Sequence, residues 1–353
     1  MKKVLYLSNI EVPYRANFFA RLAEHVDLTV LYEKNNSEDR NPQWSASGST
    51  DYRREWLDRT GHDSLLRRIA RLAGFLRRKW DLVIIGCYNT PLQILAGRML
   101  VVMGRKFVIN FDGETFVTPG LKGRLKRLAM SGADAYITAG EHSAATLRES
   151  TGTRKPVFSY RFSSLSDEAI SREAGQETRR GKDILVVGRY RHYKGLDIAV
   201  EVARRAPDLH FTFIGTADST AQFKADMAPL PDNIEIIPFL QTEDLTARYR
   251  SCGVFLLPTR YECWGLVINE AAACGTPIVT TTGSGAALDI IGGDYPQYLA
   301  RPDDAVSLEK ALRLCLSSDP LPYSRFLREK NSAYSIENSV KDHLVMIEAL
   351  TSR

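Results

Sequence analysis

Two glutamates, Glu262 and Glu270, stand eight positions apart within the stretch 258–277, which runs Pro-Thr-Arg-Tyr-Glu-Cys-Trp-Gly-Leu-Val-Ile-Asn-Glu-Ala-Ala-Ala-Cys-Gly-Thr-Pro. A helix beginning near Gly265 leaves the N–H groups of Leu266, Val267 and Ile268 without partners inside the helix, and such an end attracts anions, phosphate above all. Glu262 then lies in the loop before that end and Glu270 on the first turns of the helix. Two carboxylates would flank a bound diphosphate, each accepting hydrogen bonds from hydroxyl groups, and a ligand with hydroxyls on either side of two phosphates is a sugar nucleotide. A second pair, Arg189 and Lys194, lies five positions apart in the loop 189–195. Arginine offers a planar forked donor and lysine a compact point charge, a combination suited to a pyrophosphate. Solvated surface charges are the plain alternative for either pair alone, and the presence of both argues against it.

These residues need strands and helices to hold them. Val254–Leu257 is a short apolar run of the kind that a buried parallel strand shows, and 277–281 reads as the next strand. The glutamates therefore fall in a strand, loop, helix, strand unit. Residues 183–188 form another strand, 189–195 its loop, 196–205 a helix and 210–215 the next strand. Further on come a strand at 234–239, a helix at 243–250, and the loop 281–285, in which Gly283 and Gly285 permit close approach to phosphate or sugar. The chain opens with strand 3–8, a loop holding Tyr14 and Arg15, a helix over 17–25 and strand 28–32. That loop sits where doubly wound sheets bind ligands, and Arg15 is placed to meet a phosphate, yet no G-x-G-x-x-G is present. Strands follow at 82–85, 106–111, 135–138 and 156–159, with a helix over 141–150. Residues 34–60 read as a long excursion. A helix over 64–80 sets Arg67, Arg68, Arg71 and Arg78 opposite its apolar face, with Phe75 among them, and 121–130 is a second basic helix. Helices are expected at 305–315 and 339–350. The polar region 162–182 reads as a connection between domains.

A length of 353 residues, with 44% hydrophobic and 25% charged content, suits two domains of about 150–200 residues each. The boundaries expected are 1–165 for an acceptor-binding domain, 166–182 for the linker, 183–335 for a nucleotide-sugar domain and 336–353 for a last helix. No run of about 18 apolar residues occurs and the N-terminus enters a strand directly, so neither a membrane span nor a signal peptide is expected. The five cysteines form no C-x-x-C pair, which points to a reducing, cytoplasmic compartment and to small core residues rather than a zinc site. The net charge of +5 is divided unevenly. Residues 1–160 carry 25 Lys/Arg against 16 Asp/Glu, and 161–353 carry 22 against 26. A basic first half expects an anionic partner, either membrane headgroups or a phosphorylated acceptor; nucleic acid is not expected, because no stacking aromatics interleave the basic residues.

The stretch around Glu262 resembles the E-x7-E signature of retaining GT-B glycosyltransferases of family 4, the group 1 glycosyltransferases. Glu262, Trp264-Gly265-Leu266, Glu270-Ala271, Ala273-Cys274-Gly275 and Pro277-Ile278-Val279 carry the likeness, while Cys263 stands where Gly or Pro is common. Gly188-Arg189 with Lys194-Gly195 resembles the family's other recurrent element, G-R-x4-K-G. The resemblance implies an α/β fold of two Rossmann-like doubly wound domains facing a central cleft, with the last helix returning to the first domain. It implies a retaining hexosyltransferase that uses an NDP-sugar, UDP or GDP, with Glu262, Arg189 and Lys194 catalytic and no metal or other cofactor. Glu262 would hold the sugar and Glu270 the ribose, with Trp264, Gly265, Leu266 and Val267 lining the donor site and Phe239 and Leu240 beside the base. Asp112, a further catalytic candidate, stands where many relatives have a histidine near the transferred sugar. The acceptor expected is a glycan, lipid-linked, in surface polysaccharide assembly, with the enzyme peripheral at the inner face of the cell membrane. A small-molecule acceptor, a sugar-nucleotide 2-epimerase and a sugar-nucleotide-binding protein without turnover are the alternatives.

Overall fold

The central strands are short runs rich in leucine, β-branched and aromatic residues buried on both faces, the composition that an all-parallel sheet with both faces covered requires. The computed structural model describes every residue except 35–48, 87–89, 112–119, 121–122, 125–129, 176–179, 216–218 and 353. The chain divides into two units, Met1–Phe162 together with Ile336–Arg353, and Ser163–Ser335.

The first unit has seven parallel strands: β1 (Lys3–Ser8), β2 (Asp27–Tyr32), β3 (Arg53–Trp56), β4 (Leu82–Ile85), β5 (Phe107–Phe111), β6 (Ala135–Ala139) and β7 (Val157–Tyr160). Their order is β3-β2-β1-β4-β5-β6-β7. The order reverses between β1 and β4, which makes the carboxyl ends of those two strands the topological switch point. The region 34–60, expected to be irregular, contributes β3, whose residues pair in register with β2, Thr29 with Arg53 through Tyr32 with Trp56. Its sequence, Arg-Arg-Glu-Trp, has no apolar periodicity because an edge strand with part-exposed residues needs none.

The last helix, Ile336–Thr351, belongs to this unit. Asp342 accepts hydrogen bonds from Arg161 N and Nε at 2.9 Å and from Nη2 at 2.6 Å, a forked charge-assisted contact. Ser339 Oγ donates to Arg161 O at 2.9 Å. The buried His343 ring packs between Phe18 and Tyr160, with centroids 4.6 and 4.7 Å away.

The second unit has the parallel order β10-β9-β8-β11-β12-β13, from β8 (Ile184–Val187), β9 (Phe211–Ile214), β10 (Ile234–Ile237), β11 (Val254–Leu257), β12 (Ile278–Thr281) and β13 (Leu299–Ala300). Its switch point lies between β8 and β11, the two strands whose carboxyl ends carry the paired motifs. The expected linker 166–182 is corrected by the helix Asp167–Ala174, capped by Ser166 Oγ accepting from Ala169 N. Glu173 on that helix accepts from Arg250 Nη1 at 3.0 Å, which binds the segment into this unit. The polar composition marked an amphipathic surface helix rather than a connection. A further helix spans Pro320–Ser332, and Pro320 occupies its first turn, where a missing N–H costs nothing.

Candidate functional site

In the second unit the loops after β8 and β11 are bonded together through their backbones. The carbonyl oxygen of Tyr193 accepts from Arg260 N at 2.9 Å, from Tyr261 N at 3.3 Å and from Thr259 Oγ1 at 2.9 Å. Gly195 has φ +67, and a Cβ there would lie 2.0 Å from Pro258 O. Only glycine allows both that conformation and that approach. Arg260 completes the junction from its side chain, with Nη1 and Nη2 donating to Asp197 at 2.8 and 2.6 Å, Nε to Asp303 at 2.6 Å and Nη1 to His192 O at 2.6 Å. The Asp197 hydrogen bonds push its guanidinium pKa further up from an already high value.

This junction brings Lys194 and Glu262 into direct contact, Nζ against Oε2, with the two side chains 17% and 19% exposed. The two motifs, 68 positions apart in the chain, thus form one charged group at the switch point. Arg189, part-buried, lies in the first of these loops. The helix Leu266–Ala273 starts immediately after Gly265, whose φ of 103 and ψ of 69 are left-handed. A Cβ at Gly265 would stand 3.0 Å from Ser284 Oγ and 3.2 Å from Glu262 Cγ, so glycine also keeps space beside the carboxylate. The first N–H groups of that helix, at Leu266 and Val267, are donors that have no acceptor inside the helix.

Glu270 sits one helical face further on, part-buried, accepting from Ser164 Oγ at 3.5 Å and from Tyr249 OH at 3.4 Å. Burial pushes its pKa from 4.5 up to about 7, with the two hydroxyls opposing the rise. A carboxyl held by neutral donors keeps acceptor positions for further hydroxyls. Ser164, Tyr249, Asp197 and Arg260 were not among the residues expected at this site. Arg260 lies inside the motif 258–277, and its place between the two loops is the signal that was available.

Other residues expected at the site make contacts within the protein. The Trp264 side chain is 2% exposed, donates through Nε1 to Asn269 Oδ1 at 2.8 Å and packs on Tyr334, so it anchors the helix from within the core. Gly283 and Gly285 serve contact between loops: added Cβ atoms would meet Arg260 O and Cys263 O, each at 2.5 Å. Glu262 N donates to Gly283 O at 2.8 Å and Ser284 Oγ to Trp264 O at 2.8 Å, which fixes the glutamate loop from its other side. Phe239 and Leu240 are part-buried and follow the edge strand β10, with β9 between it and β8. In the first unit, Arg15 donates to Tyr160 OH at 3.2 Å and stacks on Phe162 at 4.9 Å, where Tyr14 also packs at 5.8 Å. Asp112 lies outside the described residues. Cys252, Cys274 and Cys315 are buried core residues.

The helix Leu65–Leu76 also departs from expectation. Phe75 is 3% exposed and belongs to the core rather than the basic face. Arg71 turns inward, donating to Leu57 O at 2.7 Å and to Asp63. Arg67, Arg77, Arg78 and Lys79 remain exposed, as do Leu65 and Leu66 at the start of the helix, at 58% and 79%. The second basic stretch, 121–130, lies largely outside the described residues.

Residues 167–334, nearly the whole second unit, match the family model described as Glycosyl transferases group 1. An uncharacterized glycosyltransferase of Haemophilus influenzae is 24% identical over 68% of this chain and 67% of its own length. A 2-deoxystreptamine glucosyltransferase of Streptomyces kanamyceticus is 30% identical over 46% of this chain, which spans only 43% of that relative. Two solved structures align over nearly their whole lengths: sucrose-phosphate synthase from Thermosynechococcus elongatus, with TM-score 0.73, 16% identity and 99% of each chain covered, and a glycosyltransferase from Rickettsia africae, with TM-score 0.74, 13% identity and 100% and 99% covered. The architecture is the GT-B one, two units each built on a parallel doubly wound sheet. The similarity to group 1 glycosyltransferases thus lies in the second unit, on the same βα units that hold Lys194 and Glu262.

Proposed function

We propose that this protein is a retaining, family 4 glycosyltransferase that moves a hexose from a UDP- or GDP-linked donor to a hydroxyl of a glycan acceptor. The observation that carries this reading is the contact of Lys194 with Glu262 at the switch point of the second unit. It puts a cation for the diphosphate and a carboxylate for the sugar hydroxyls on one rigid pair of loops. Arg189, Lys194 and the end of the helix at Leu266 stabilise the charge that grows on the diphosphate as the bond from the anomeric carbon to the phosphate oxygen breaks. The electron pair of that bond stays on the phosphate, the acceptor oxygen bonds to the anomeric carbon from the same face, and the departing phosphate oxygen takes the acceptor's proton. Glu270 accepts from the ribose hydroxyls. These cations fill the place of a metal ion, so turnover is expected to survive EDTA. Incubation of the full chain with UDP-, GDP- and ADP-hexoses, with and without glycan acceptors, should release one nucleoside diphosphate. Release of none from the whole panel would overturn the reading.

The acceptor is proposed to be a lipid-linked glycan in surface polysaccharide assembly. No helix among the described residues is long and apolar enough to cross a membrane. Leu65, Leu66 and Arg67 are exposed at the start of the helix Leu65–Leu76 and Arg77, Arg78 and Lys79 past its end, and exposed apolar and basic residues of this kind suit an anionic bilayer surface. Each basic residue there contributes about 1 kcal/mol at low salt. Vesicles with anionic lipid should sediment the wild type at low salt and release it at high salt, and an Arg67/Arg77/Arg78→Ser variant should bind far less. Equal, negligible binding of both proteins would remove the membrane reading. The second reading, a small-molecule acceptor, is favoured by relatives named for 2-deoxystreptamine and D-inositol 3-phosphate, and the same assay distinguishes it when such acceptors replace the glycans.

A further inference from the structure

The ion pair of Lys194 with Glu262 does not depend on a ligand to form it. Tyr193, next to the lysine, is bonded through its carbonyl oxygen to Thr259, Arg260 and Tyr261, and Glu262 N is held by Gly283 O at 2.8 Å. The two backbones are therefore fixed at a separation that puts the ammonium on the carboxylate, and both side chains are mostly buried, at 17% and 19% exposure. A diphosphate that uses Lys194 must take it from this carboxylate or share it.

We infer that Glu262 discriminates against the free nucleoside diphosphate, competing with it for Lys194, and tolerates the same diphosphate while it carries a sugar. The inference rests on the donor site proposed above. In the donor the terminal phosphate is esterified and bears a single negative charge. Once the sugar has left, that phosphate gains a second titratable oxygen and carries about 1.5 to 2 negative charges at pH 7, as a phosphomonoester does. Once the proton taken from the acceptor has passed to solvent, the added charge appears at the oxygen that had borne the sugar, beside the residue assigned to the sugar's hydroxyls. Like charges in a part-buried site repel far more strongly than in water. Glu262 thus has two partners in the cycle: sugar hydroxyls while the donor is bound, and Lys194 after transfer. Its return to Lys194 displaces the product, and product departure is a step that limits many transferases and other enzymes.

Calorimetry on the full chain tests this, with UDP and GDP as products and the corresponding nucleotide-sugar as donor, on the wild type, Glu262→Gln, Lys194→Met and the double variant. Glu262→Gln should bind the free diphosphate about tenfold tighter than the wild type, the size expected for removing one close like charge in a site of intermediate dielectric. It should bind the nucleotide-sugar no tighter, so the preference between the two ligands changes. In the Lys194→Met background the gain should shrink to about twofold, because competition has gone and only repulsion remains. Glu262→Ala should act in the same direction and guards against an effect peculiar to the amide. Unchanged or weaker diphosphate binding by both Glu262 variants, or an equal gain for diphosphate and nucleotide-sugar, would overturn the inference while leaving the donor site in place. Failure of every diphosphate to bind wild type and variants would overturn the donor site itself, and the inference with it.

Discussion

Lys194→Ala should lower turnover by about 10² to 10³, the usual loss when one positioned group that stabilises developing charge is removed. The lysine is the cation in direct contact with Glu262, it sits less than one-fifth exposed at the switch point, and its loop is held in place by Tyr193 O and Arg260. The loss should fall mainly in kcat, because the charge is needed most when the diphosphate departs. The ordered loops should survive, since the backbone bonds that join them do not involve the lysine side chain. Steady-state kinetics with the nucleotide-sugar that the wild type turns over, together with an unchanged circular dichroism spectrum, provides the check. Turnover within about threefold of wild type would remove Lys194 from the chemistry.

The second large effect is on stability, and its sign depends on pH. Burial raises the Glu270 carboxyl from 4.5 to about 7 in the folded protein. Between those values the unfolded chain has released the proton while the folded protein still holds it. The folded state then binds more protons, so stability falls as pH rises through this window and levels off above pH 7. The whole difference amounts to about 3 kcal/mol, from 1.36 kcal/mol for each pKa unit. Glu270→Gln keeps the shape and removes the titration. It should match the wild type in stability near pH 4.5 and exceed it by about 2–3 kcal/mol at pH 8, by the same linkage. Denaturant unfolding of both proteins across this range measures the effect, and parallel curves would show that Glu270 does not titrate there. The same variant should bind nucleotide more weakly, because the amide offers one acceptor oxygen where the carboxylate offers two. A stability gain with a binding loss is the mark of a residue kept for function.

Arg260 and Trp264 separate what composition and spacing disclose from what packing decides. Trp264 lies between Glu262 and Gly265 in the chain and was expected to line the donor site, yet its side chain is in the core, because Asn269 supplies a partner for its N–H and Tyr334 a face to pack on. Arg260 is one arginine among many in the sequence, and in the fold it holds Asp197, Asp303 and His192 O together. Neighbours in sequence point in different directions, and only the neighbours in space determine which is functional. Gly283 and Gly285 show the same limit: small residues were legible, but whether they admit a ligand or another loop was not.

What the sequence by itself determined is the parallel architecture and the chemical character of the site. Short apolar runs are the composition that covered parallel strands require, and the residue types at 189, 194, 262 and 270 give the candidate site its cations and carboxylates. What the tertiary structure alone decided is which of those charges meet. Lys194 and Glu262 are local to different βα units, and their contact arises because β8 and β11 lie side by side although β9 and β10 separate them in the chain. The elevated Glu270 pKa has the same origin. Desolvation is set by how deeply the fold buries a carboxyl, and here it outweighs the hydrogen bonds from Tyr249 and Ser164 that oppose the rise; no local pattern of residues specifies it.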